Sequence, residues 1–321
     1  MQAWKWLFVG VAVWTGATTA AAFAASRHAP RGEFVDIGGG KLRLVCEGPK
    51  SDRPTVWMEA GAYGLAADFA AVQEKLAAQG IRSCAYDRAG MGYSDPGPAP
   101  RDSAAIVSDL EKLMAASGER PPYILLAHSM AGNHVRLFAG RNPEKVAGLV
   151  LVEASTPEQV DQPAARRFIS VFSNISRATA VAGSLGLTKP FFAMGDRIGL
   201  PPEGAKEKRR AFISGRHART AAAEVLQWRQ GAAQAAASGA YDPKWPVAVI
   251  TAGPQTGGMQ AFNKGRRLPA EQSVAGCYAN VEAAGHATVL GRQHAEAVVA
   301  GVQHVLRALA GQPVRPDCLK P

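Results

Sequence analysis

Between Pro54 and Glu153, short apolar runs alternate with helix-length amphipathic stretches, and this alternation constrains the fold more than any other feature of the chain. Pro54–Glu59 (PTVWME), Arg82–Tyr86, Tyr123–His128 and Ala147–Glu153 are expected as strands. Phe69–Gln79, Ser103–Ser117 and Ala131–Arg141 are expected as helices between them. When a helix separates each strand from the next, the strands run parallel and the helices cover both faces of one sheet. Ahead of this pattern, Phe34–Ile37 and Lys41–Cys46 flank Gly38-Gly39-Gly40, which predicts a hairpin. After Ala154 the strand-like runs stop until Val247–Thr251, and the segment to Pro243 is Ala-rich, polar and helical in texture. A strand at Cys277–Val281 and a helix at His294–Leu309 then close the fold. The expected class is α/β, a mostly parallel central sheet flanked by helices. Its core, residues 26–153 and 244–321, is interrupted once by a helical cap insertion at 154–243.

Composition narrows the functional classes. The 321 residues are 47% hydrophobic, 19% charged and 7% aromatic, which excludes a disordered chain, a coiled coil and a collagen-like repeat. Lys and Arg outnumber Asp and Glu by 36 to 26, a net charge of +10. The basic residues are scattered apart from clusters such as Lys206-Glu207-Lys208-Arg209-Arg210. With no zinc-finger spacing, no aromatic-basic strand and no continuous basic helix, no nucleic-acid partner is expected, and the charge reads as a solvated basic face.

Met1 to Lys5 carry one basic side chain, and Trp6 to Ala25 carry no charge. A charged start, an apolar middle and small residues around Ala22-Phe23-Ala24 predict a secretory signal cut before Ala25. The alternative is an uncleaved membrane anchor, because twenty residues at about 1.5 Å each just cover a hydrocarbon core of roughly 30 Å. Residues 1–25 are therefore read as a signal peptide or an anchor. The protein is expected to be periplasmic or extracellular, with membrane association through this segment under the anchor alternative. Four cysteines, Cys46, Cys84, Cys277 and Cys318, allow two disulfides in an exported chain, with three connectivities open. There is no CxxC and no HExxH, so neither a metal nor a cofactor is expected.

The strand Tyr123–His128 runs through Ser129 directly into a helix, the strand–turn–helix setting of an exposed nucleophile. Ala127 and Ala131 stand two places to either side, where a tight bend needs small residues; alanine departs here from the Gly-x-Ser-x-Gly pattern. The start of the following helix offers the backbone N–H of Met130 to an oxyanion. A second donor is expected from Ala60-Gly61-Ala62-Tyr63-Gly64, through the N–H of Ala62. As a dinucleotide loop that segment fails, since no complete GxGxxG opens a helix.

A serine needs a base, and His286, just after the last strand, is the candidate. His28 follows the N-terminal segment, His128 lies inside the bend, His134 falls on the next helix, and His217, His294 and His304 sit on helical faces. The acid that orients the base is unusual in its placement. No carboxylate occurs between Asp242 and Glu271, so the loop Gly253–Gly258 after the penultimate strand cannot supply it. Glu153 ends the strand after the nucleophile's helix. In such a sheet its strand neighbours that of Ser129, with both C-terminal ends in one crevice. A carboxylate there can hold the histidine tautomer; Asp161 and Asp242 are the fallback acids.

Taken with Val56–Gly61, Cys84–Asp95, Gly148–Ser155 and Gly285-His286, these residues make the chain resemble the α/β-hydrolase superfamily from about Phe34 to Leu309. The resemblance is to its serine hydrolase, esterase- and lipase-like branch with Glu-Ala-Gly after the third strand. It implies a Ser129–His286–Glu153 triad beneath a helical cap, with the acid after the sixth strand rather than after the penultimate one. It also implies that Cys46 and Cys84 lie on neighbouring strands and pair, leaving Cys277 with Cys318. The reaction implied is acyl transfer to Ser129 from a small-molecule ester. Amide, peptide and carbon–carbon bond hydrolysis remain open on the same site, as does a non-catalytic binding role. A serine at this position argues against dehalogenase and epoxide hydrolase chemistry, in which related folds use Asp. Specificity is expected in the cap, with apolar surface from Phe168, Val171, Phe172, Phe191 and Phe192.

Overall fold

The computed structural model describes residues 29–320 together with Lys5, Trp6, Val9, Gly10, Val13, Gly16 and Ala20. Most of the segment expected as a signal or anchor, its cleavage position before Ala25, and His28 lie outside the described residues. Among the described residues no helix is long and apolar enough to cross a membrane.

Eight strands form one sheet in the order β1-β2-β4-β3-β5-β6-β7-β8. They are β1 (Glu33–Asp36), β2 (Lys41–Glu47), β3 (Val56–Glu59), β4 (Ser83–Tyr86), β5 (Tyr123–His128), β6 (Val146–Val152), β7 (Val247–Ala252) and β8 (Gly276–Val281). From β4 to β8 neighbours are parallel, and β1 and β2 add an antiparallel edge. The sequences of the central strands explain their place. Every residue of β5 (YILLAH) and β6 (VAGLVLV) is buried, and continuous apolar runs of this kind suit strands covered on both faces.

Helices α1 (Ala70–Ala78) and α10 (Ala295–Leu309) cover one face, placing Val72, Leu76, Val298, Val302 and Val305 in its core. On the other face α2 (Ser103–Ala116) and α3 (Ala131–Arg141) bury Leu110, Leu113, Val135 and Phe138. Between β6 and β7 the chain is helical: α4 (Pro157–Val160), α5 (Pro163–Ser184), a 3-10 segment (Lys189–Ile198), α6 (Pro202–Phe212), α7 (Gly215–Leu226) and α8 (Trp228–Ala237). Several of these begin on proline, whose fixed φ and missing N–H suit a helix's first turn. Ion pairs seat these helices on the core, Glu207 with the buried Arg43 of β2 at 3.1 Å and Lys208 with Asp68, beyond β3, at 2.8 Å.

One element departs from expectation. The chain after β7, expected as a loop at Gly253–Gly258, turns into a sixteen-residue helix, α9 (Gly257–Gln272). Its glycine-rich start and an internal Pro269 are both poor helix signals and hide it in the sequence. Both disulfides form as the resemblance implied. Cys46 and Cys84 face each other in the β2–β4 register. Cys277 joins β8 to Cys318 in the C-terminal tail. Beside that bond the Tyr278 N–H donates to the Pro316 carbonyl, and the Cys318 N–H to the Tyr278 carbonyl.

Candidate active site

Ser129 sits where β5 gives way to α3, with φ at 58°. A non-glycine residue in the left-handed region is strained, and a turn this sharp lifts the side chain clear of the sheet. Neighbours must be small for the bend to close. A Cβ on Gly132 would fall 2.2 Å from the Ser155 carbonyl oxygen, and one on Gly61 would fall 2.7 Å from the Ser129 Cβ. Ala127 and Ala131 are fully buried against the same turn.

The expected histidine and acid converge on this serine. His286 Nε2 lies 2.9 Å from Ser129 Oγ, and His286 Nδ1 lies 2.8 Å from Glu153 Oε2. Glu153 leaves β6 with φ at 50°, so two of the three residues stand in strained turns at adjacent strand ends. Its other oxygen, Oε1, accepts from the Ala252 N–H at 2.9 Å and from Arg266 Nη1 at 2.8 Å. Burial pushes the Glu153 carboxyl up, but the hydrogen bond to His286 and the Arg266 charge outweigh it and hold the group below the usual carboxylate range. Arg266 was not anticipated. It lies on α9, the helix hidden in the sequence, and brings a guanidinium to the acid from the segment that follows β7.

His128, read from sequence only as a residue of the bend, also contacts the base. Its Nε2–H donates to the His286 carbonyl at 2.8 Å, and the two rings lie 4.8 Å apart. Burial, followed by the neighbouring His286, lowers its pKa to about 3, so the ring is neutral and its second nitrogen carries no proton. His286 itself remains half exposed, open to a reactant.

Ala62 and Met130 lie in one apolar cluster with Val160, Ile169, Phe172, Trp228 and Ala232. Among the described residues, no backbone hydrogen bond engages the N–H of either Ala62 or Met130. The next residue, Tyr63, is held at φ 58°. Its carbonyl accepts from Lys208 Nζ at 2.9 Å and from His217 Nε2 at 3.3 Å. Around this point Phe168 stacks on Phe172 at 5.7 Å, and Phe172 meets Tyr63 edge-on at 6.2 Å. Phe168 and Val171 are exposed, as is Phe191, while Phe172 and Phe192 are half-buried. The fallback acids stand elsewhere: Asp161 pairs with Arg166 on the surface, and Asp242 accepts from the Lys244 N–H in its own turn.

The fold that carries these residues is shared with known proteins. A family model described as the alpha/beta hydrolase fold matches residues 54–186. The chain has the α/β-hydrolase fold. An uncharacterised protein, YbdG, of Bacillus subtilis (strain 168) is 27% identical over 129 residues, which are 40% of this chain and 39% of that one. The chain thus spans about two-fifths of that curated relative's length. Among solved structures, a haloalkane dehalogenase variant from Bradyrhizobium elkanii superposes with a TM-score of 0.65 at 17% identity, covering 87% of this chain and 97% of that one. A thermophilic esterase from Thermogutta terrifontis superposes with a TM-score of 0.61 at 17% identity, covering 86% and 98%. Hydrolases of different chemistry thus share this α/β-hydrolase fold, and the reaction must be argued from the site.

Proposed function

We propose that this α/β hydrolase is a serine carboxylic ester hydrolase that works through an acyl-enzyme. The observation that carries the reading is the continuous hydrogen-bonded line from Ser129 through His286 to Glu153. Ser129 Oγ attacks the ester carbonyl carbon while its proton passes to His286 Nε2. The negative charge that collects on the carbonyl oxygen is met by the Ala62 and Met130 N–H groups. Collapse of the tetrahedral species expels the alkoxide, which leaves as the alcohol with the proton from His286. Water, deprotonated by the same imidazole, then releases the carboxylic acid and restores Ser129. Glu153, ionised and fixed by three partners, keeps the Nδ1 proton in place and stabilises the imidazolium between steps.

A serine hydroxyl makes an acyl ester, whereas displacement at an alkyl halide or an epoxide calls for a carboxylate nucleophile. The apolar cluster of Met130, Trp228, Ile169 and Phe172 suits the hydrocarbon part of an ester, with the helices between β6 and β7 acting as a cap. Export is supported by the two disulfides, which persist in oxidising compartments. The test is hydrolysis of esters of graded acyl length beside labelling by a fluorophosphonate. Ser129→Ala is expected to lose both turnover and label while keeping its fold. Glu153→Gln should lower kcat by about a hundredfold or more. Full ester turnover by Ser129→Ala would overturn the proposal.

A further inference from the structure

The loop that follows β3 is gripped by a buried cation. Arg88 stands just beyond β4 and is 2% exposed. Its Nη1 donates to Glu59 Oε1 at 2.8 Å and to the Ala60 carbonyl. Its Nη2 donates to the Gly61 carbonyl at 2.9 Å and to Glu224 Oε2 at 2.7 Å. Nε reaches Glu224 Oε1 at 3.0 Å. All the donors of the planar guanidinium are therefore used, two of them on successive carbonyls of one loop. Glu224 belongs to α7, so a helix from between β6 and β7 completes the grip.

We propose that Arg88 is a positioning residue for the oxyanion hole: it fixes the Gly61–Ala62 peptide so that the Ala62 N–H faces Ser129. This rests on the serine hydrolase reading above. In a trans peptide the carbonyl of one residue and the N–H of the next point to opposite sides. The Gly61 carbonyl is turned to Arg88 and to the Gly64 N–H at 3.0 Å. The Ala62 N–H is therefore turned away from Arg88. Gly61 also abuts the nucleophile, since a Cβ placed on it would come within 2.7 Å of the Ser129 Cβ. A flip of that peptide would replace a donor with a carbonyl oxygen beside the developing negative charge. Loop residues without side-chain anchors have little to prevent such a flip, and the Gly64 bond is a single neutral one. A buried ion pair contributes little net stability over an apolar pair of the same size. A rigid fork aimed at two consecutive carbonyls does confer orientation, and no apolar side chain would.

The experiment uses the full chain with Arg88→Lys and the charge-balanced double substitution Arg88→Gln/Glu224→Gln. For each, kcat and KM are measured on a short-chain ester, with affinity for a trifluoromethyl ketone, which binds as an oxyanion, and for the alcohol product, which does not. Melting temperature and the pH profile of kcat/KM are followed alongside. With one N–H donor misdirected, kcat should fall about 30- to 100-fold, and ketone affinity should fall in step. KM, product affinity and the midpoint of the pH profile should hold, because His286 and Glu153 are untouched. A folded Arg88→Lys protein with wild-type kcat and ketone affinity would overturn the assignment. So would equal losses of ketone and product affinity, which would mean general damage to the site. If Arg88→Lys does not fold, the double variant, with no buried charge from Glu224 left unpaired, decides by the same readings. Ser129→Ala run in parallel separates the two ideas, since its retained turnover would remove the serine mechanism whatever Arg88 does.

Discussion

Two histidines buried as neutral rings should make this protein acid-labile well before its carboxylates titrate. His128, under the His286 backbone, and His217, wedged between the Gly92 N–H and the Tyr63 carbonyl, each have a pKa lowered to about 3, first by burial and then by a neighbour, His286 for the one and Lys208 for the other. In the unfolded chain each ring takes up a proton near about pH 6.5. Between those limits the unfolded state binds more protons, so stability rises with pH and is lost as pH falls. At about pH 5 the gap is roughly 1.5 pH units for each ring, or about 2 kcal/mol apiece and about 4 kcal/mol together. Asp68 and Asp87, raised chiefly by burial, act in the opposite sense and soften the total. The assay is urea unfolding near pH 7.5 and near pH 5 for wild type and for His128→Gln/His217→Gln, a change that keeps one donor and one acceptor at each site. The wild type should lose several kcal/mol over that interval and the double variant much less. Equal pH dependence in the two proteins would refute the reasoning, since other groups would then be taking up the protons.

Three further outcomes follow from the same geometry. Arg266→Met removes the cation that helps hold the Glu153 carboxyl below the usual carboxylate range and takes away one of its hydrogen bonds, so kcat should fall about tenfold, read by steady-state turnover of a short-chain ester. Gly61→Ala places a methyl group against Ser129, and fluorophosphonate labelling should slow by about a hundredfold or more while circular dichroism stays that of the wild type. Replacing Cys46 and Cys84 by serine opens a cross-link across 38 positions of chain and should cost about 4 kcal/mol in urea unfolding.

Much of this architecture could be read from the chain because burial writes a plain signal. The runs at Ile124–Ala127 and Val146–Val152 are apolar throughout, as suits doubly covered strands, and their ends fix where Ser129 and Glu153 stand. The carboxylate-free stretch after Asp242 is as informative as any motif, since it leaves Glu153, at the end of the neighbouring strand, as the acid. What was hidden are the residues that act at long range. Arg266 meets Glu153 across 113 positions, from a helix whose sequence begins with two glycines and ends around a proline. Arg88 lies within the Cys84–Asp95 motif, but its partner Glu224 is 136 positions away on an Ala-rich helix. Periodicity reports which face of an element is apolar and nothing about which distant charge will meet it. His128 was hidden differently: its neighbour in sequence, Ser129, supplies the chemistry, while its own bond runs to the backbone of the base.

The short segment that carries Cys318 has a consequence for how the molecule behaves at high concentration. β8 is the last strand of the sheet, and its free side would offer a row of unpaired backbone groups to any other extended chain. The tail occupies part of that row through the bonds on either side of Tyr278, and the Cys277–Cys318 link keeps it there. Reduction of that one link would let the tail drift off and uncover a rim that a second copy could extend strand by strand. A reducing compartment would then threaten this protein by self-association as well as by lost stability.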